Sequence, residues 1–254
     1  MINRKEVEMQ DKVSEYYEAV RYKKDYSVRY HEWWIKKMIS MSGINGGRVL
    51  DNGCGTGILF DYLRGYDCMV TGMDISSGML EKAKKINKNT VCGDSQELPF
   101  KDGSFDIIYA RSLLHHLPDH AKGVKEMKRV ARGNGRIVFV DTNDSILSRL
   151  PRMMVKDKGH FSEEHKNFRI DELMNIISRE FRITGVYFFG YIAYPLLGFP
   201  DLIDIFKYAP FKGIVSKILI KIDEVIAAIP FVKKNSWGVM ICARKEEDGK
   251  GPIC

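Results

Sequence analysis

The stretch VLDNGCGTG, residues 49–57, lies between a short apolar run that begins at Arg48 and a helical pattern from Ile58 to Leu63. This order predicts a strand, a tight turn and a helix. Glycines in such a turn let the backbone approach a ligand where a Cβ atom would clash, and the helix start directs N–H groups toward that ligand. A tight turn that binds nothing is the alternative for this pattern taken alone.

The same alternation continues after the turn. Apolar runs typical of buried strands alternate with amphipathic stretches, and Gly133–Gly135 is expected to end the last of these helices. The predicted strands cover residues 69–73, 90–92, 105–110 and 136–140, and the predicted helices cover 77–86 and 124–130. Alternating strands and helices predict a parallel sheet with helices on both faces.

After Asp141 the regular alternation of strands and helices stops, because about ninety residues pass before the final strand, at 237–243. Within this span, residues 170–181 have a helical pattern, 182–189 read as a strand, and 211–229 form an amphipathic helix. We therefore predict an α/β fold: a Rossmann-like, seven-stranded, mostly parallel sheet with helices on both faces, plus a helical cap inserted before the last strand.

Two acidic residues follow the second and third predicted strands. Asp74 lies about twenty residues beyond the turn, where a carboxylate can accept hydrogen bonds from both hydroxyls of a ribose, and Asp94 follows the next strand. An N-cap role is the alternative for Asp74, although Ser76 or Ser77 can fill it. A nicotinamide dinucleotide would suit the same features, but its turn usually has G-x-G-x-x-G/A spacing. Here the spacing is G-x-G-x-G, and an acid, Asp51, precedes it. A carboxylate at this position suits a cationic ligand better than a pyrophosphate.

Four stretches in order resemble the successive motifs of class I S-adenosylmethionine-dependent methyltransferases. The likeness is greatest to the small-molecule branch that includes the ubiquinone and menaquinone biosynthesis enzymes. It departs from the family at Asn52 and at 132–135, where a Lys-Pro-Gly-Gly turn is common. The stretches are VLDNGCGTG (49–57), VTGMDISSGMLEKAK (70–84), VCGDSQELPFKDGSFDIIYARSLLHHL (91–117) and KEMKRVARGNGRIVFVDTN (125–143).

This resemblance implies that S-adenosylmethionine is the cofactor. The methionine portion would be held by Asp51 and the turn backbone, the ribose by Asp74, and the adenine by residues that follow the second and third strands. The implied cofactor-binding residues are Asp51, Gly53, Cys54, Gly55, Asp74, Ile75, Asp94, Ser95, Arg111 and Tyr17.

The resemblance also divides the single domain into three parts. The cofactor-binding core is expected at about 44–143 and 236–246, and an acceptor-binding cap at about 144–235. N-terminal lid helices are expected at about 8–42, where Tyr16, Tyr17 and Tyr22 would close over the cofactor. Core packing is the alternative for these aromatic residues, because they recur at helical spacing.

No side chain stands out as the catalytic base. His115, His116 and His160 are candidates, because imidazole is the side chain best suited to proton transfer near neutral pH. A structural role for the adjacent pair, and a solvated loop for His160 and His165, are the alternatives. Methyl transfer can proceed with a weak base or none when the nucleophile and the methyl group are held in line. No metal site is predicted, because no third ligand stands at suitable spacing.

The 254-residue chain has a formal net charge of +7 and a pI near 9.0. That charge suits RNA, an anionic membrane or a phosphorylated small molecule, but it also occurs in basic enzymes without such partners. The fourth strand lacks the Asn/Asp-Pro-Pro-aromatic element with which similar enzymes hold nucleobase amines, so a nucleic-acid substrate is not expected. Five cysteines without a C-x-x-C pair, and an N-terminus without an apolar signal, favour a cytoplasmic location.

The amphipathic helix at 211–229 carries Lys212, Lys217 and Lys221 and is followed by Lys233 and Lys234. We expect its apolar positions to pack on the sheet. Peripheral contact of residues 211–234 with an anionic membrane is the alternative.

The resemblance implies transfer of a methyl group by in-line SN2 displacement to oxygen, nitrogen or carbon of a small, partly apolar acceptor. The acceptor itself is not specified, because residues 145–235 contain no motif for one compound. An RNA methyltransferase, a non-catalytic S-adenosylmethionine-binding module and a dehydrogenase are the alternatives.

Overall fold

The computed structural model describes residues 7–11, 24–153, 168–198 and 205–246. Its strands are β1 (Gly47–Asn52), β2 (Cys68–Asp74), β3 (Thr90–Cys92), β4 (Phe105–Arg111), β5 (Ala131–Thr142), β6 (Arg182–Phe189) and β7 (Gly238–Arg244). They form one sheet in the order β3-β2-β1-β4-β5-β7-β6. β1 to β5 run parallel, and β7 runs antiparallel to both of its neighbours. The predicted seven-stranded, mostly parallel sheet is therefore confirmed.

The helices are α1 (Asp25–Ser42), α2 (Ile58–Leu63), α3 (Ser77–Ala83), α4 (His120–Val130), α5 (Ile146–Met153), α6 (Ile170–Ser178) and α7 (Lys212–Ala227). Side chains of α4 and α6 pack on one face of the sheet with Leu50 and Ile108. Side chains of α1, α2 and α7 pack on the other face with Val49 and Ile107. Because both faces are covered, neighbouring residues of β1 and β4 enter opposite cores, which explains their continuous apolar runs.

Several boundaries agree with the sequence patterns, among them Ile58–Leu63, Thr90–Cys92 and Arg182–Phe189. The helix predicted at 124–130 ends at Val130 as expected, but its start is wrong, and so is the expectation that Gly133–Gly135 ends it. The helix begins at His120, because the side chain of Asp119 accepts a hydrogen bond from the Lys122 N–H at 2.9 Å and caps it. It ends at Val130, so Gly133–Gly135 does not end it. Those residues lie in β5, where the register with β4 is irregular.

Part of the predicted insertion at 144–235 belongs to the sheet layers. Ile170, Leu173 and Ile177 of α6 lie in the same core cluster as the central strands, and β6 forms the edge of the sheet beyond β7. The strand β6 also begins the uncharged run of residues 183–200, of which residues 183–198 are described. In the described ranges, no helix is both long and apolar enough to cross a membrane.

The prediction that the apolar stripe of α7 packs on the sheet is wrong. Ile214, Ile218 and Val225 are 62%, 52% and 59% exposed, whereas Ser216, Ile220 and Asp223 are buried. The reason lies in Asp223, whose carboxylate accepts hydrogen bonds from the N–H groups of residues 191, 192 and 193 at 3.0, 2.7 and 3.2 Å. These bonds turn the Asp223 side of the helix inward and the isoleucine side outward.

Replacing Asp223 with alanine should lower the free energy of unfolding by about 3 kcal/mol, because three backbone N–H groups, two of them in buried residues, lose their acceptor. The urea midpoint measures this loss. The matched control is Asp61→Ala, which removes an exposed carboxylate paired with Arg64 at 2.9 Å and should change stability by no more than about 0.5 kcal/mol. Equal effects of the two substitutions would contradict the role of Asp223.

Candidate active site

Four charged side chains lie at or one position before the ends of four adjacent strands, at one edge of the sheet. Asp74 ends β2, Arg111 ends β4, and Asp51 and Asp141 stand one position before the ends of β1 and β5. Parallel strands bring their carboxyl ends to the same edge, which is where open α/β sheets bind their ligands. The sheet order β2-β1-β4-β5 therefore gathers these four side chains at one site.

The glycine turn uses several of its own N–H groups. The amides of Gly53 and Cys54 donate to the carbonyl of Met73 at 2.8 and 2.9 Å, and the amide of Gly55 donates to Oδ2 of Asp74 at 2.8 Å. These three donors thus tie β1 to the end of β2 and do not point toward a ligand. An anion such as a pyrophosphate needs such donors, whereas a cation does not.

Two glycines of the turn have different physical reasons for lacking a side chain. Gly57 has φ +85°, and a Cβ atom there would meet the ring of Phe60 at 2.8 Å and the Cα atom of Ala83 at 3.1 Å. Gly55 has φ +56°, but a Cβ atom there would meet nothing within 4 Å. Gly57 therefore serves the packing of the turn, and Gly55 borders open space.

The carboxylate of Asp51 is fully buried, and neither of its oxygens has a hydrogen-bond partner. Burial raises the pKa of Asp51 to about 6, although the Arg111 guanidinium, with Nη2 at 3.9 Å from Oδ2, opposes the rise. Leaving a buried carboxylate without donors is unfavourable, and a bound cationic ligand would relieve that cost. The site thus fits the ammonium and sulfonium groups of S-adenosylmethionine.

The carboxylate of Asp74 lies beside the turn. Oδ1 accepts from the Ser76 N–H at 3.0 Å and Oδ2 from the Gly55 N–H. Burial raises the pKa of Asp74, and these amides partly oppose the rise. Ser76 itself caps α3, accepting from the Met79 N–H at 3.0 Å, so the N-cap role does not belong to Asp74. Each carboxylate oxygen keeps a second lone pair with which to accept from ribose hydroxyls.

The N-terminal segment 7–11 reaches the same place. Asp11 accepts hydrogen bonds from the hydroxyl of Ser76 and, at 3.0 Å, from the N–H of Gly78 at the start of α3. Sequence reasoning missed Asp11, because an acid in a polar N-terminal helix carries no signal of its own. Tyr17, with Tyr16 and Tyr22, lies outside the described residues.

The residues expected near the adenine follow β2 and β3. Ile75 is half-buried directly after Asp74, and Asp94 accepts a hydrogen bond from the Gln96 N–H at 2.8 Å. Ser95 is buried and donates to Oδ1 of Asn52 at 2.8 Å. This bond ties the loop after β3 to the end of β1, so the Ser95 hydroxyl has a structural partner.

The thiol of Cys54 is buried inside the turn. Its sulfur lies 3.0 Å from the position that a Cβ atom on Gly72 would take. Burial raises the pKa of Cys54, so the thiol stays neutral at physiological pH. The side chain of this predicted cofactor-binding residue therefore packs the turn and leaves only its backbone for a ligand.

A histidine and an aspartate form a buried pair at the same edge of the sheet. Nδ1 of His115 lies 2.6 Å from Oδ1 of Asp141, which also accepts from the Thr142 N–H at 2.7 Å. Burial alone would raise the pKa of Asp141, but the charge and hydrogen bond of His115 hold it below its usual range. The ring of His116 lies 4.1 Å from that of His115. Sequence reasoning missed Asp141, although an acid near the end of an apolar strand was the signal used for Asp51 and Asp74.

Arg111 connects this edge to α1. Its guanidinium carbon lies 6.0 Å from the ring of Trp34, whose buried Nε1 has no hydrogen-bond partner. Trp34 stacks on Phe189 of β6 at 6.3 Å. The guanidinium of Arg111 therefore lies between the carboxylate of Asp51 and an aromatic wall formed by Trp34 and Phe189.

The described ranges contain no group of three or more His, Cys, Asp or Glu side chains that could hold a metal ion. His160 and His165 lie outside the described residues. The suggestion that His160 acts as a base therefore remains a prediction from the sequence. His115 and His116 are the two catalytic candidates that the structure brings to the site.

Alanine at Gly57 should lower the free energy of unfolding by about 2 kcal/mol or more, because strain at positive φ adds to the clash with Phe60. Alanine at Gly55 meets only the backbone strain and should cost about 1 kcal/mol. Urea unfolding of both variants measures the difference. Equal losses would show that the contacts around Gly57 do not require a glycine.

Comparison with known proteins agrees with this geometry. Residues 50–139 match a family model described as a methyltransferase domain. Demethylmenaquinone methyltransferase of Staphylococcus aureus (strain MRSA252) is 36% identical over 130 residues, which make up 48% of this chain and 54% of that relative. The chain thus spans about half the length of the curated relatives it matches.

Solved structures share the fold over most of the chain. The cyclase SpnF has a TM-score of 0.67 at 16% identity, covering 94% of this chain and 95% of its own. A SAM dependent methyltransferase from Aquifex aeolicus has a TM-score of 0.53 at 20% identity, covering 83% and 89%. These likenesses concern the fold alone, which also hosts a cyclase. With the sequence match, however, the glycine turn and its acidic neighbours make the core of this chain similar to the class I S-adenosylmethionine-dependent methyltransferases.

Proposed function

We propose that this protein transfers the methyl group of S-adenosylmethionine to a small, partly apolar acceptor. The observation that carries the proposal is Asp51, a fully buried carboxylate without a hydrogen-bond donor, beside a turn whose amides are bonded internally. This combination favours a cationic ligand over the pyrophosphate of a dinucleotide.

The residues that would hold the cofactor follow from this geometry. Asp51 would pair with the cationic methionine portion, and Arg111 would pair with its carboxylate. Asp74 would accept from the ribose hydroxyls, while Ile75 and Asp94 would border the adenine. When bound, S-adenosylmethionine supplies an electrophilic methyl group whose bond to sulfur breaks as the acceptor attacks. The chain's own task is to hold the acceptor in line and exclude water, which supplies most of the rate.

The acceptor is proposed to lie beside Arg111 and Trp34, between the sheet edge and the remaining parts of the cap. An aromatic wall with one unpaired N–H suits a partly apolar ring with a hydrogen-bond acceptor. Because the curated relative is named for demethylmenaquinone, demethylmenaquinone is the first acceptor to test. Residues 144–235, apart from α6 and β6, are proposed as the acceptor-binding cap, and Tyr17 as part of a lid.

We further propose His115 as the proton acceptor in the reaction. Asp141 holds Nδ1 at 2.6 Å and orients the ring, and Nε2 is proposed as the nitrogen that takes the proton. A carboxylate beside the imidazole also stabilises the imidazolium that forms. Asp141 acts through His115 and is therefore a positioning residue.

The four cysteines that the structure describes form no disulfide bonds. Together with the odd count in the full chain, this supports a reducing, cytoplasmic environment as the working location.

Calorimetry with S-adenosylhomocysteine and with NAD tests the cofactor assignment. We expect micromolar-range binding of S-adenosylhomocysteine and none of NAD, because the turn lacks free amides for a pyrophosphate. Equal or tighter binding of NAD would overturn the proposal. Binding of S-adenosylhomocysteine without turnover of any acceptor would instead support a non-catalytic module.

The same titrations across pH test Asp51. With the pKa of Asp51 raised to about 6, the carboxyl is ionised at pH 7.5 and increasingly protonated below 6, so affinity should fall about tenfold per pH unit there. Asp51→Asn should weaken binding at pH 7.5 by about 2 kcal/mol, or roughly 30-fold, and abolish this pH dependence. An unchanged pH dependence in the variant would assign it to another group.

Substitution of His115 tests the proton acceptor. With an acceptor that supports turnover, His115→Gln should lower kcat about a hundredfold or more while leaving S-adenosylhomocysteine affinity unchanged. Asp141→Asn should lower kcat by a smaller factor and shift the pH profile of kcat. His116→Gln is the matched control and should retain activity. Loss in the His116 variant alone would show that His115 is not the base.

A further inference from the structure

The exposed apolar side chains of this protein are concentrated in one place. Of the 14 large apolar side chains that are exposed in the described ranges, nine lie between Tyr208 and Val232. They include Phe211 at the start of α7 and Phe231 after it, the latter 94% exposed. Scattered exposed apolar residues are normal, but a contiguous patch on a folded protein marks a binding surface.

The patch follows one side of α7. Ile214, Ile218, Ile222 and Val225 recur at intervals of four, four and three residues, which places them along one face of α7, and Ile229 continues the row just beyond the end of the helix. We call this row the exposed stripe. All five residues are at least 40% exposed.

The opposite side of α7 is fixed to the protein, so the helix cannot turn to bury the exposed stripe. Asp223 accepts from three backbone amides, and Glu224 accepts from Nε1 of Trp33 on α1 at 3.1 Å. Turning the stripe inward would break these bonds and leave buried groups without partners. The exposure of the stripe is therefore built into the fold.

Positive charges border the exposed stripe. Arg29, Lys212 and Lys217 line a shallow pocket of about 360 Å³ at the start of α7, together with apolar atoms of Phe211 and Ile214. The described residues that line it include no acidic side chain.

The two acids of α7 do not cancel this charge at the surface. Asp223 is buried, and Glu224 pairs with Lys221 at 2.9 Å. Lys233 and Lys234 follow the helix, although Lys234 pairs with Asp171 at 3.2 Å. An apolar row with a basic border thus faces outward.

We propose that this surface docks the protein on an anionic phospholipid membrane, with the exposed stripe and Phe231 entering the interface and the basic border facing the headgroups. Helices that lie in the plane of a membrane combine an apolar face with lysine or arginine beside it. A second copy of the chain would oppose two basic borders, and a nucleic acid would leave the apolar row without a partner. The proposal rests on α7 and the residues beside it and does not depend on the proposed methyl transfer.

Vesicle flotation with the full chain tests the proposal. Vesicles of phosphatidylcholine with 30% phosphatidylglycerol should bind the protein, whereas vesicles of phosphatidylcholine alone should bind it at least about tenfold more weakly. Raising the salt from 0.1 to 0.5 M should weaken binding to the anionic vesicles, because the basic border is at the surface.

Two variants separate the apolar from the charged contribution. The double substitution Ile218→Ser and Ile222→Ser, and the double substitution Lys212→Gln and Lys217→Gln, should each weaken binding to anionic vesicles about tenfold or more. Neither pair lies in the cofactor site, so S-adenosylhomocysteine affinity and the urea midpoint verify that both variants are folded.

Matched controls lie elsewhere on the surface. Met69→Ser removes a side chain that is 69% exposed on β2, and the double substitution Lys85→Gln and Lys88→Gln makes the same change in net charge. Both should bind vesicles within about twofold of the unaltered protein.

Other outcomes overturn the proposal. Absence of binding to anionic vesicles, or equal losses in the α7 variants and their controls, would do so. If light scattering without vesicles shows a dimer that the Ile218 and Ile222 substitutions dissociate, a second copy covers the stripe. If a single-stranded RNA competes fully with the vesicles and the serine variant binds it normally, the surface serves nucleic acid.

Discussion

The burial of Asp51 without hydrogen-bond donors is the constraint that gives this site its character. The carboxylate lies near the end of a central strand, and the parallel pairing of β1 with β2 and β4 keeps it away from solvent. The turn after it cannot supply donors, because the amides of Gly53, Cys54 and Gly55 already hold β1 to β2. The fold thus keeps a buried carboxylate whose missing partner a cationic ligand can supply, beside open space at Gly55.

Three buried acids of this chain differ in function because their partners differ. Asp223 accepts from three backbone amides and has a structural role, since it fixes α7 to the loop after β6. Asp141 pairs with His115 and orients its ring. Asp51 has only a distant guanidinium at 3.9 Å and remains available to a ligand. Residue type and burial are the same in all three, so it is the hydrogen-bond partners that distinguish structure from binding.

The sequence was sufficient to predict the seven-stranded sheet and the position of the glycine turn. Runs such as Arg182–Phe189 and Thr90–Cys92 matched the observed strands. In the central strands β1 and β4 the apolar runs are continuous because both faces are buried. The pairing of His115 with Asp141 could not be predicted, since it depends on the distance between the ends of two strands. Periodicity likewise showed that α7 has an apolar face but not which face packs. Bonds to residues 191–193, thirty positions away, decide that orientation.

One helix connects the exposed stripe with the candidate active site. On α1, Trp33 donates to Glu224 of α7, while Trp34 lies against Arg111. Neighbouring residues of a helix point about 100° apart, so the two tryptophans contact different partners and fix α7 and Arg111 relative to one another. The stripe residues take no part in these bonds, because they lie on the outer side of α7. Contact with a surface and binding at the sheet edge therefore depend on separate side chains, even though the same helix positions both.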